Sequence, residues 1–265
     1  MTDQVDDDGF VKVERFKYKP VNNNNKKKNK KRNKHVFKDP EEWTLQDVNK
    51  TLEERKKALI DSRFYKDLSV LFEEHLTQPK DIVCYGIGSV QRSKNAQYQF
   101  VLALLLRDLL AITGEMYIYD PVMTKLDEEI CQHYAIKVIQ ENESGKRAIK
   151  EPTLFYMPHC GRGLYSNTLS ANWTSEQLDK ITIIGNNFDL YVGSQLEKDL
   201  KRECPYLIPA VDISKAISFP PEFDNNQIFN DLSIQTFPIE KLSKVEESFW
   251  TEVYENDSTE KQDKE

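Results

Sequence analysis

The sequence predicts an α/β fold: a Rossmann-like, doubly wound, mostly parallel sheet with N-terminal helices and disordered tails. Three observations carry this. A short β-prone run, Ile82–Tyr85, is broken by Gly86 and Gly88 and followed by apolar residues at helical spacing (Tyr98, Val101, Leu102, Leu105, Leu109). Further short apolar runs then alternate with helical stretches, which is the pattern of βαβ units. One of these runs, Ile181–Ile184, is β-branched throughout, as suits a parallel strand buried on both faces.

Taken in order, residues 1–39 read as a disordered tail. Three aspartates, Asp6, Asp7 and Asp8, precede an Asn/Lys-rich run with a basic block at Lys26–Lys38, and such a segment buries too little apolar surface to offset its ordering entropy. The basic block suits either nuclear import or a solvated, self-repelling tail. Residues 40–253 read as a single α/β domain. Its N-terminal part is helical, with Thr44 and Asp47 at N-cap and N3 and apolar residues from Val48 to Phe72 at helical spacing.

After the Gly86–Gly88 turn and its helix, Glu115–Pro121 reads as a second strand with Asp120 at its end. Thr124 and Asp127 open a helix that runs to about Ala135. Lys137–Gln140 and Thr153–Met157 read as strands, and Leu164–Leu169 as a helix. Thr174 with Gln177, and Ser194 with Glu197, form the pattern of capping boxes. Ser233–Phe237 reads as an edge strand, and residues 254–265 as a disordered polar tail.

The composition narrows the class. Charged residues make up 31% and hydrophobic residues 38%, and no apolar run approaches the roughly 18–20 residues that span a bilayer. The acidic N-terminus does not resemble a secretory signal. Cys84, Cys131, Cys160 and Cys204 are widely spaced with no CxxC pair, which argues against a zinc ribbon or a disulfide framework and for a reducing compartment, cytoplasm or nucleus. No catalytic constellation is evident, and no metal site is assigned. The expected partners are proteins and a small molecule, with no membrane and no nucleic acid apart from the basic tail.

Ligands of open parallel sheets bind beyond the carboxyl ends of the strands. Those ends supply the candidate ligand-binding residues: Gly86, Gly88, Ser89, Asp120, Glu141, His159, Cys160, Arg162, Gly185 and Asn186. Gly86-Ile87-Gly88 is two-thirds of a dinucleotide fingerprint, whose third glycine is replaced by Gln91. It also resembles the first turn of an S-adenosylmethionine-type fold, in which an acid ending the second strand holds a ribose. The same glycines serve equally as a tight strand-to-helix turn. His159 and Cys160 are neighbours, so on a strand they would face opposite ways, which disfavours a nucleophilic pair. Cys204-Pro205 matches a two-residue pattern seen where haem binds regulatory proteins. S-adenosylmethionine, a nucleotide and haem therefore all stand as ligands.

With these residues laid out, the chain resembles the sensitivity-to-red-light-reduced (SRR) family. The likeness rests on CYGIGS at Cys84–Ser89, YDPV at Tyr119–Val122, ENESGKRAI at Glu141–Ile149 and PTLFYMPHCG at Pro152–Gly161. It continues in LYSN at Leu164–Asn167, NW at Asn172–Trp173, IIGNNF at Ile183–Phe188 and IFNDLS at Ile228–Ser233. The resemblance implies a regulatory role: light signalling and the circadian clock in plants, control of haem biosynthesis and clock-gene expression in animals, and microtubule stability in a fungal relative. It brings no catalytic residues. Family members carry a residue other than cysteine at the position of Cys204. Two other classes remain alongside: a transferase dependent on S-adenosylmethionine or a nucleotide, and an interaction protein without a ligand.

Overall fold

The computed structural model describes residues 39–251 except 77, 222, 225 and 226, so the expectations for both tails and the basic block lie outside the described residues. A 3-10 turn at Pro40–Glu42 leads into α1 (Leu45–Ile60) and α2 (Arg63–His75). Thr44 and Asp47 close the expected capping box at the start of α1. Then β1 (Asp81–Tyr85), α3 (Lys94–Leu109), β2 (Met116–Tyr119), α4 (Lys125–His133), β3 (Lys137–Val138) and β4 (Thr153–Met157) follow in βαβ succession. The second half runs α5 (Arg162–Ser170), α6 (Ser175–Leu178), β5 (Ile181–Asn186), α7 (Phe188–Ser194), α8 (Glu197–Glu203) and α9 (Leu207–Ile213). It closes with β6 (Lys215–Ser218), β7 (Leu232–Thr236) and α10 (Ile239–Leu242).

The seven strands form one sheet in the order β3-β2-β1-β4-β5-β7-β6. Strands β1 to β5 are parallel neighbours, and β7 runs antiparallel to both β5 and β6. The order reverses between β1 and β4, so the crevice of a doubly wound sheet falls between their carboxyl ends.

Alternate strand residues feed two cores, as a period of two requires. Ile82, Cys84, Leu154, Tyr156 and Ile184 face the core shared with α1 to α4. Val83, Tyr85, Phe155, Met157 and Ile183 face the core shared with α5, α8 and α9. Helix α3 is buried continuously from Ala96 to Leu106, because the sheet lies on one side and α1 and the segment around Phe223 and Phe229 lie on the other. Trp173 and Phe188 are core residues, as expected. Among the described residues no helix is long and apolar enough to cross a membrane.

The structure corrects three local expectations. Ser194 is the last residue of α7, and its hydroxyl bonds backward to Leu190 O, so Leu196 caps α8 without any side-chain bond. The strand at Leu232–Thr236 is interior; the edge is β6, which its polar, exposed composition concealed. Thr174 accepts from Gln177 N as a cap, but Gln177 Oε1 is buried without a partner, so the return half of that box is absent.

Candidate ligand site

Strand β1 delivers the chain to Gly86 and Gly88, both at positive φ (72° and 81°). Only glycine adopts this conformation without strain. A Cβ on Gly86 would stand 2.5 Å from Cys160 Sγ, whereas one on Gly88 would meet only Ala96 Cβ at 3.5 Å. Gly86 is therefore needed for both conformation and close approach, and Gly88 for conformation alone.

The turn is pinned from β2 and α4. Gly88 N donates to Asp120 Oδ2 at 2.7 Å, and Val122 N donates to Asp120 Oδ1 at 3.0 Å. Asp120 is 7% exposed. Burial raises its pKa, the two backbone donors oppose this, and nearby Asp127 adds to the rise. Asp127, also buried, accepts from Gln91 N at 2.9 Å while closing a capping box with Thr124 on α4. The Gln91 side chain reaches Pro40 O through Nε2 at 2.6 Å and the Thr124 hydroxyl through Oε1 at 2.8 Å. Gln91 thus joins the turn, the start of α4 and the N-terminal residues. Ser89 is buried at 4% exposure, and its Oγ has no hydrogen-bond partner.

Beyond β4, His159 sits at φ 55° and its Nε2 lies 3.0 Å from Ile228 O, a carbonyl that also accepts from Gln99. Cys160 turns the other way and donates to Tyr85 O at 3.4 Å. The two neighbours diverge and form no dyad. Burial, reinforced by the charge of Asp120, pushes the Cys160 thiol well above its usual pKa and so favours the protonated thiol.

At the end of β5, Tyr165 OH donates to Met157 O at 2.6 Å and accepts from Asn186 N at 2.9 Å. Gly185 is required there, since a Cβ would lie 2.6 Å from the Tyr165 ring. Tyr191 OH bridges Asn186 Nδ2 (2.8 Å) to Cys160 O (3.2 Å). Asn186 Oδ1 remains buried and unpartnered.

The fold therefore links Gly86, Gly88, Asp120, Cys160, Gly185 and Asn186 through short bonds and contacts around the ends of β1, β2, β4 and β5, with Ser89 in the same turn. It leaves three of the ten candidates aside: His159, held at Ile228 O, together with Arg162 and Glu141. Arg162 pairs with Glu203 of α8 and donates to Gln195, tying α5 to the α7–α8 region. Glu141 is exposed in the segment after β3. Its neighbour Glu143 is the structural residue there, accepting from Tyr85 OH at 2.7 Å and from Arg147 at 2.7 and 2.8 Å.

Sequence reasoning missed Asp127, Gln91, Tyr165 and Tyr191. Asp127 was visible only as a cap, and the tyrosines carry no local signal. The Cys204 thiol is buried, and burial raises its pKa. A cavity of 290 Å³ opens past β5 and β6, walled by Phe219, Pro220, Pro221 and Phe229 with Asn187 and Asp231.

Comparison with known proteins identifies the family. The SRR1 domain model matches residues 48–236. An SRR1-like protein of Mus musculus is 34% identical over 132 residues, which are 49% of this chain and 53% of that one. The protein SENSITIVITY TO RED LIGHT REDUCED 1 of Arabidopsis thaliana is 36% identical over 111 residues, 42% of this chain and 40% of that one. The chain thus matches about half the length of these relatives or less. Among solved structures, the SAH-bound methyltransferase PaMTH1 of Podospora anserina shares 13% identity at a TM-score of 0.41, covering 72% of this chain and 87% of that one. The domain model takes in α1 through β7 and so most of the described fold, and the chain belongs to the SRR1 domain family.

Proposed function

We propose that this chain is a regulatory protein that responds to a small ligand held at the Gly86–Ser89 turn, and that it acts in control of haem biosynthesis and clock-gene expression. The observation that carries the ligand reading is the buried Asp120 carboxylate bonded to Gly88 N beside the orphaned Ser89 hydroxyl, at the point where the strand order reverses. Burying a carboxylate and leaving a hydroxyl unpaired both cost stability, and such costs concentrate at binding sites. The regulatory role rests on family membership and on what the family resemblance implies for animal and plant members.

Native mass spectrometry of the whole chain tests the ligand reading, with S-adenosylmethionine, a dinucleotide and haemin added separately. A one-to-one adduct is expected, and it should disappear in a folded Gly88→Val variant. An adduct that survives in that variant, or none with any compound, counts against a site at the turn. For the role, replacement of the chain in cells by the same variant should change haem content or clock period to the extent that deletion does.

A further inference from the structure

We infer that the ligand of this turn is free of phosphate and carries a neutral or positive head, as a nucleoside or nucleoside-derived sulfonium does. The inference rests on the ligand reading above and specifies its chemistry. A dinucleotide needs converging backbone N–H groups at the turn to receive its pyrophosphate. Here two of those donors are already spent on the chain's own anions: Gly88 N on Asp120 at 2.7 Å and Gln91 N on Asp127 at 2.9 Å. Arg92 N and Ser93 N bond Ser89 O at 3.2 and 3.0 Å, which closes the turn on itself.

The two cations that follow the turn on its own chain are spent as well. Arg92 pairs with Glu41 at 2.9 Å, and Lys94 pairs with Asp224. A phosphate entering the turn would meet two carboxylates with no uncommitted donor among these groups. A positive or neutral head meets no such opposition. Haem carries two propionates with no ammonium or sulfonium to offset them and faces the same repulsion. The one carboxylate of S-adenosylmethionine is instead balanced by its own ammonium, which leaves the sulfonium charge. Any effect of this chain on haem synthesis would therefore act without haem seated at the turn.

Asp120 still has capacity for such a ligand. An ionised carboxylate offers about four lone-pair sites, and two backbone donors leave room for hydroxyl donors such as those of a ribose. The orphaned Ser89 hydroxyl supplies a further donor and acceptor.

The test is isothermal titration of the full chain with S-adenosylmethionine, adenosine and NAD, each alone. The expected result is binding of S-adenosylmethionine or adenosine at least about tenfold tighter than NAD. That binding should weaken in Ser89→Ala, and the discrimination against NAD should shrink in Asp120→Asn. Circular dichroism melts confirm that both variants are folded, and a variant that fails to fold leaves the wild-type ranking of the three compounds as the test. NAD binding as tightly as the phosphate-free compounds, and weakened by Ser89→Ala, would overturn the inference while keeping the site. Binding by none of the three, or binding indifferent to both substitutions, would overturn the site and the inference with it.

Discussion

Gly86 and Cys160 occupy one space: a single added methyl on Gly86 would stand 2.5 Å from Cys160 Sγ, on a residue already held at φ 72°. This contact joins the ends of β1 and β4, the two strands between which the order reverses. Overpacking and a left-handed alanine together give Gly86→Ala an expected cost of about 2–4 kcal/mol. Because the nearest obstacle is the thiol, adding Cys160→Ala should recover the steric share and leave the conformational share. Urea denaturation of the two single variants and the double variant measures this. A coupling near zero would show that the contact is not the cause.

Gln91 stands where a dinucleotide fingerprint has its third glycine. Gln91→Gly completes that fingerprint but removes the side-chain bonds to Pro40 O and Thr124. The expected loss is about 1–2 kcal/mol by chemical denaturation. No affinity for NAD should appear, because the backbone N–H at this position remains bonded to Asp127.

The segment after β3 is clamped onto β1 by Tyr85, Glu143 and Arg147, with the Arg147 guanidinium 4.6 Å from the centre of the Tyr117 ring. Burial first, and then Glu143, push the Tyr85 phenol well above its usual pKa, so it stays a donor across the physiological range. Tyr85→Phe should cost about 1–2 kcal/mol. Backbone amides from Glu143 to Ile149 should exchange faster in that variant, as measured by hydrogen–deuterium exchange. Unchanged exchange in this segment would show that the clamp does not hold it.

The raised pKa of Asp120 has a definite sign. Its folded form binds a proton more readily than its unfolded form. Its contribution to stability is therefore fully present below the ordinary carboxylate pKa and lost as pH rises through the raised value. The stability of the wild type minus that of Asp120→Asn should fall as pH rises from the ordinary carboxylate range through the raised value. The difference is read from urea midpoints at each pH, so that acid effects common to both proteins cancel. A difference that grows with pH would mean that the two backbone donors outweigh burial.

The parallel half of the sheet was legible because its signals are local. Gly86 and Gly88 follow a β-prone run, Ile181–Ile184 is apolar and β-branched, and Thr44 and Thr124 each precede an aspartate at N3. The β6–β7 pair was not legible in the same way. Strand β6 is four residues with an exposed face, and β7 gains its interior place only by pairing on both sides. The site divides along the same line. The strand ends Gly86, Asp120 and Asn186 follow from topology, whereas the bonds from Asp127 to Gln91 and from Tyr191 to Cys160 span 36 and 31 residues and exist only once the sheet is assembled. Several of the family's sequence pieces are explained by support of the scaffold. Asn167 and Thr168 bond the carbonyls of Ser144 and Gly145, and Asn172 bonds both Ile149 N and Arg147 O, so the ENESGKRAI segment is fastened to α5.

The most direct test of a ligand at the turn is the amide spectrum of the labelled whole chain during titration with S-adenosylmethionine. Saturable shifts of the Gly88 and Ser89 amides are expected, with Asn186 affected less. Shifts confined to residues of the cavity beside Phe219 and Phe229, or no shifts at saturating concentration, would contradict it.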